Sequence, residues 1–191
     1  MSKNNRQGKA AIWDKNVIKQ LRQRLDCSRQ RLIFEISLFT GERMGAITQL
    51  SVSDVYDTSG KVRNYLTFQA HTRKSTRWGT AQDRTVKIHP DLRVFLTQYT
   101  PPSQGFLFPS SGKSGHITRR AVDDYWRKRF VDMGFTGFST HSSRRWLINK
   151  LGKTTRIQII AEFMKMRIET VRYYLDDDPN ACDAAISSIS I

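Results

Sequence analysis

The chain has 191 residues, 38% hydrophobic and 26% charged, which is enough for a domain with its own core and unlike the composition of disordered chains. Its 32 Lys and Arg against 17 Asp and Glu leave a formal net charge of +15, which implies a polyanionic partner and favours nucleic acid over an acidic membrane surface, because no long apolar or long amphipathic basic helix supports the latter. Cys27 and Cys182 form no Cys-x-x-Cys pair, and neither a secretory pattern nor about 18 consecutive apolar residues occurs, so a disulfide framework, a zinc site and a membrane span are not expected and a reducing cytoplasm fits best.

Residues 1–10 are polar and basic without periodicity and read as a flexible arm. From there Ile12, Val17, Ile18, Leu21 and Leu25 recur at roughly helical spacing among Lys, Arg and Gln, the pattern of an amphipathic helix. The run Leu32 to Phe39 is far more apolar and predicts a buried helix stopping at Thr40-Gly41, with a second short helix after Arg43. Between Val52 and His89 the period changes: residues 62–68 and 84–88 alternate and predict antiparallel strands, joined by an exposed basic hairpin tip over 71–79. Beyond Pro90 helix resumes to about Tyr99, loops containing Pro101-Pro102 and Ser110-Ser111-Gly112 surround a short apolar segment, and helical patterns follow over 117–131, 141–151 and from Thr155 into the 170s. After Asp176-Asp177-Asp178-Pro179 the chain ends in a small apolar stripe. The layout is mainly α-helical with one small sheet.

Four separated pieces carry side chains suited to chemistry: Thr40-Gly41-Glu42-Arg43, Lys74 on the hairpin tip, His141-Ser142-Ser143-Arg144, and Arg172-Tyr173-Tyr174. Each alone has an ordinary reading. A Gly before a surface Arg is a common helix C-cap. His and Arg three apart on a helix are most often a solvated patch. A tyrosine near a helix end usually covers the core.

Their order and spacing together resemble the catalytic domain of the tyrosine recombinase, or phage-type integrase, family. The resemblance runs through nearly the whole chain. Leu38-Phe39-Thr40-Gly41-Glu42-Arg43 followed by Leu50-Ser51-Val52-Ser53-Asp54 matches the family's Thr-Gly-x-Arg turn, and Thr140-His141-Ser142-Ser143-Arg144 matches its His-x-x-Arg motif. The resemblance implies an α+β fold, a helical bundle with a small antiparallel three-stranded sheet. It also implies a catalytic domain over 11–178 and a C-terminal segment, 179–191, docking on a neighbouring protomer. The expected activity is site-specific cleavage and rejoining of double-stranded DNA through a 3′-phosphotyrosyl intermediate, by a homotetramer on DNA, in the cytoplasm. An extra DNA-clamping domain is common in the family. With about ten residues before the first helix, the chain resembles a stand-alone catalytic domain.

In that scheme Arg43 and Arg144 bind the nonbridging phosphate oxygens, because two guanidiniums meet a phosphate with fixed, bidentate geometry as charge develops. Tyr174, nine positions after Lys165, is the nucleophile, with Tyr173 the alternative one residue away; its phenol, with an ordinary pKa near 10, needs assistance, which His141 supplies. Lys74 protonates the departing 5′ oxygen, and Lys165 helps hold the scissile phosphate. Arg73, Arg77, Arg119, Arg120 and Arg145 are expected to contact DNA, although those on the 117–131 helix read about equally well as a solvated face. The ester conserves bond energy, so no cofactor and no metal is expected. Two positions depart from the family pattern. Lys165 stands where His or Trp is usual, with Met164 replacing the usual Gly, and Ala46 replaces an acidic residue three positions after Arg43. Two other readings stay open: topoisomerase-like relaxation by a monomer, and a catalytically impaired DNA-binding protein.

Overall fold

The structure, a computed structural model, describes residues 10–73 and 81–175. The N-terminal arm up to residue 9, Lys74, Arg77 and the segment 179–191 lie outside the described residues. The chain divides into two compact units, residues 1–147 and 148–191.

In the first unit, α1 (Lys15–Arg24) is opened by Asp14, whose carboxylate accepts from the Val17 N–H at 2.7 Å, and buries Val17, Ile18 and Leu21 as its periodicity predicts. α2 (Ser28–Thr40) is buried nearly all round, which explains its lack of a polar face. It ends where Gly41 takes a left-handed conformation, φ 59°, and returns its N–H to the Ser37 carbonyl, a position where a side chain would be strained. The chain turns at once into α3 (Met44–Ile47). Trp13 on the approach to α1 packs with Phe34 and Trp126, ring centroids 5.0 and 6.1 Å away, as the centre of the core.

β1 (Tyr65–Phe68) and β2 (Arg84–Lys87) pair antiparallel with Leu66 opposite Val86 and Phe68 opposite Arg84. The inward face therefore carries Leu66, Phe68, Val86 and, with them, Arg84. Among the described residues the sheet has two strands rather than the expected three. Residues 56 and 62 meet only as a single bridge, because Asp57 Oδ1 accepts from the backbone N–H of Ser59 and Lys61 and folds the intervening residues into a tight turn. α4 (Pro90–Gln98) follows, with Pro at its first turn. The Tyr56 hydroxyl donates to the Leu96 carbonyl of that helix at 2.7 Å, and burial pushes its pKa up to about 12. α5 (Arg119–Asp132) is capped by Thr118 and buries Val122, Trp126 and Phe130. α6 (Ser142–Gly152) contains the boundary between the units.

The second unit holds α7 (Ile157–Met164) and α8 (Ile168–Tyr174). The uninterrupted helix expected from Thr155 into the 170s is thus two helices. Lys165 adopts the left-handed conformation, φ 49°, and the Met166 N–H returns to the Ala161 carbonyl at 2.9 Å. That six-to-one closure ends α7 although the apolar spacing continues through the break. Among the described residues no helix is long and apolar enough to cross a membrane.

Candidate active site

The first unit brings two of the four sequence pieces, 40–43 and 141–144, together around a residue that spacing alone did not single out. Because Gly41 closes α2 and reverses the chain, the next side chain, Glu42, points inward, and its side chain has no exposed surface. Its Oε1 accepts from the Arg43 backbone N–H at 2.8 Å and from Arg144 at 3.1 Å. Oε2 accepts from Arg73 Nε at 3.2 Å and from Arg84 at 3.0 Å. Arg84 also donates to the Thr40 carbonyl at 2.9 Å, and Arg73 to the Gln82 carbonyl at 2.7 Å. Burial pushes the Glu42 carboxyl up, but the guanidiniums of Arg144 and Arg84, the Arg43 N–H and Arg73 outweigh it and hold it below the ordinary carboxylate range. It is therefore ionised. Among the described residues three guanidiniums surround this carboxylate, a local excess of positive charge of the kind that binding an anion requires.

His141 precedes α6, its N–H donating to Ser139 Oγ at 3.2 Å. The turn that carries it is tied down by the Ser139 N–H bond to Ser142 Oγ, 3.1 Å, and by Thr140 Oγ1 reaching Asp123 of α5 at 3.5 Å. The residue keeps exposed surface, while protein atoms around its imidazole strip hydration and, with the guanidiniums of Arg144, Arg43 and Arg119, push its pKa below 6.5; Asp123 opposes them weakly. Both leading causes favour the neutral ring, so at neutral pH His141 has a free nitrogen lone pair. Arg43 is half-buried at the start of α3 and joins the Glu42 cluster through its backbone, not its guanidinium. Arg43, His141 and Arg144, up to about a hundred residues apart in sequence, thus share one electropositive neighbourhood.

The other expected contacts fall in different settings. Arg119 is exposed at the first turn of α5 and acts on His141. Arg120, also exposed, pairs with Asp124 at 3.7 Å. Arg73 is buried against Glu42, and Arg145 donates to the Ala10 carbonyl. Among the described residues no group of three or more His, Cys, Asp and Glu is arranged to hold a metal ion.

In the second unit Tyr174 ends α8, and its backbone carbonyl accepts from Asn149 Nδ2 of α6 at 2.6 Å. Leu175 packs on Gly152: a Cβ added there would fall 2.5 Å from Leu175 Cδ2. Both contacts come from α6 and fix the backbone at the end of α8. Tyr173, 55% exposed, lies edge-on to Tyr174 with ring centroids 5.7 Å apart. Lys165 is exposed at the break between α7 and α8. Ala46 is buried in the core of the first unit, so no carboxylate stands three positions after Arg43. The residue missed from sequence, Glu42, was marked indirectly: Arg84 shares strand parity with Val86 and Ile88, and an inward-facing arginine requires a buried acidic partner.

No curated protein matches the chain in sequence. Solved structures do match in fold. The integrase from mycobacterium phage Brujita is 17% identical, with a TM-score of 0.65 over 96% of this chain and 57% of that one. The XerH site-specific recombinase, solved bound to a palindromic difH substrate as a post-cleavage complex, is 17% identical, with a TM-score of 0.68 over 98% of this chain and 55% of that one. The catalytic domain of bacteriophage HP1 integrase is 21% identical, with a TM-score of 0.60 over 94% of this chain and 95% of that one. The chain therefore spans little more than half the length of the first two and nearly all of the isolated catalytic domain. At these identities the likeness is one of fold. The family itself is shown by the sequence, since the model of the phage integrase family matches residues 12–181, and the chain belongs to that family.

Proposed function

We propose that the protein is a site-specific DNA recombinase that cleaves and rejoins strands through a 3′-phosphotyrosyl intermediate on Tyr174. The observation that carries this reading is the convergence of Arg43, His141 and Arg144 in one electropositive neighbourhood of a chain of this family. Arg43 and Arg144 neutralise the nonbridging oxygens as charge accumulates in the transition state. Neutral His141 accepts the phenolic proton as Tyr174 attacks phosphorus. The new O–P bond replaces the bond to the 5′ oxygen, which leaves with a proton from Lys74, and reversal of the same steps reseals the strand without an external energy source. Lys165 holds the scissile phosphate in place of the more usual His. Four copies acting on two duplex sites, and exchange of the 179–191 segment between neighbours, complete the proposal. The site of action is the DNA-bearing cytoplasm. The Tn1549 transposon integrase, a structural neighbour solved in complex with a circular intermediate DNA, supports DNA as the partner, as does the charge of +15.

The test is a duplex carrying a nick close to the cleavage position, which traps the covalent adduct. Wild-type protein should form a denaturation-resistant adduct, whereas Tyr174→Phe should form none while binding duplex as before, because only the nucleophilic oxygen is lost. A persistent adduct in Tyr174→Phe transfers the role to Tyr173. The absence of adduct from the wild type, with duplex binding retained, favours a catalytically impaired DNA-binding protein, the reading to which Ala46 and Lys165 point.

A further inference from the structure

The two oxygens of Glu42 divide their work. Oε2 faces Arg73 and Arg84, and Arg84 also closes the end of α2 through the Thr40 carbonyl, so this half is a clasp between α2 and the sheet. Oε1 faces the Arg43 N–H and Arg144. It therefore joins the backbone of one proposed phosphate-binding arginine to the guanidinium of the other, across 102 residues of sequence. Arg144 is itself almost fully buried. A buried guanidinium held by a fully buried carboxylate has little rotamer freedom, and its direction is set before any ligand arrives.

We infer that Glu42 is a positioning residue: through Oε1 it aims Arg144, relative to Arg43, at the nonbridging oxygens of the scissile phosphate. The task falls to the residue just before Arg43 because the position three residues after it, Ala46, carries no carboxylate. The inference rests on the reading of Arg43 and Arg144 as phosphate-binding groups. Glu42 itself touches no substrate.

The experiment measures single-turnover adduct formation by wild type, Glu42→Gln and Leu96→Ala on the nicked duplex, with either a natural scissile phosphate or a methylphosphonate, in which a methyl replaces one nonbridging oxygen. Leu96 is a fully buried core residue of α4, and its truncation controls for lost stability. Glu42→Gln should lower the adduct rate on natural DNA by roughly 100-fold, the scale expected for a misplaced transition-state contact, with duplex affinity retained. It should also shrink the rate ratio between the natural and methylphosphonate duplexes, because the misdirected guanidinium no longer distinguishes them. Leu96→Ala should keep the wild-type ratio. A wild-type rate in Glu42→Gln overturns the inference, as does a lowered rate with an unchanged ratio, which is the mark of a purely structural role. If Glu42→Gln has no cooperative unfolding transition, Glu42→Asp, which withdraws the carboxylate by one methylene, carries the same test: a smaller ratio supports the inference and an unchanged ratio overturns it. No adduct from the wild type overturns the recombinase reading and the inference with it, whereas a wild-type adduct with unaffected variants removes the inference alone.

Discussion

Glu35 and Glu42 stand seven residues apart, one in α2 and one just past its end, and the side chain of each is fully buried. Their surroundings differ. Glu35 has one direct partner, Arg22 of α1, which reaches it with two 2.7 Å bonds but keeps 38% of its own side chain exposed. Burial pushes the Glu35 carboxyl above its ordinary range, and Arg22 offsets only part of that. Glu42 meets three guanidiniums and a backbone N–H, and its carboxyl is held low. A single rim arginine makes a local clasp between two helices. Three arginines drawn from distant segments make an electropositive centre in which the carboxylate is the minority charge, and the proposed chemistry is located there.

The largest effect that would sharpen this contrast is on stability. Glu42→Ala removes a fully buried carboxylate from among three buried guanidiniums and should lower unfolding free energy by about 3–5 kcal/mol. Glu35→Ala leaves only Arg22, which can turn to water, and should lower it by about 1–2 kcal/mol. Urea unfolding of both variants measures the difference, and equal losses would break the comparison.

Dependence on pH should separate the two carboxylates by sign. Glu42 has a depressed folded pKa, so its contribution is fully present above the unfolded value and disappears as pH falls through the folded one. Glu35 has a raised folded pKa, so its contribution is present below the unfolded value and is lost as pH rises through the folded one. Stability measured against pH for Glu42→Gln and Glu35→Gln should therefore converge on wild type from opposite directions. His141 adds an activity readout near the Glu42 centre. With its pKa held below 6.5, the midpoint of the fall in adduct rate on acidification should lie below pH 6.5, as the ring becomes charged. A decline already complete at pH 6.5 would remove the neutral-imidazole role.

The smallest effect is expected where the clasp is replaced outright. Arg22→Met combined with Glu35→Leu should change stability by about 1 kcal/mol or less, since an apolar pair of similar volume removes the buried charge together with its partner. No single apolar substitution does the same at Glu42, because three cations would remain.

Local pattern was legible wherever one residue's choice decided the structure. The apolar run from Leu32 marked α2, Thr40-Gly41 marked its end, and the alternation over 62–68 and 84–88 marked the paired strands. It failed at Lys165, where α7 closes by backbone geometry while the helical spacing of apolar residues continues into α8. The third strand, expected only from the family resemblance, is replaced by a single bridge between residues 56 and 62 around the turn built on Asp57.

Of the proposed site, the motifs Thr-Gly-x-Arg and His-x-x-Arg pointed to Arg43, His141 and Arg144, but the residue joining two of them was not recognised. Ala46 read as a missing support, and Glu42 read as the variable position of the turn. Sequence by itself determined the helices up to α6, the pairing of the two strands, the excess of positive charge and the family. Only the tertiary structure decided which carboxylate holds Arg144, because that bond spans 102 residues. Its strength comes from burial that neither residue creates alone: the same two charges in water would attract weakly, and the closed core makes their pairing obligatory.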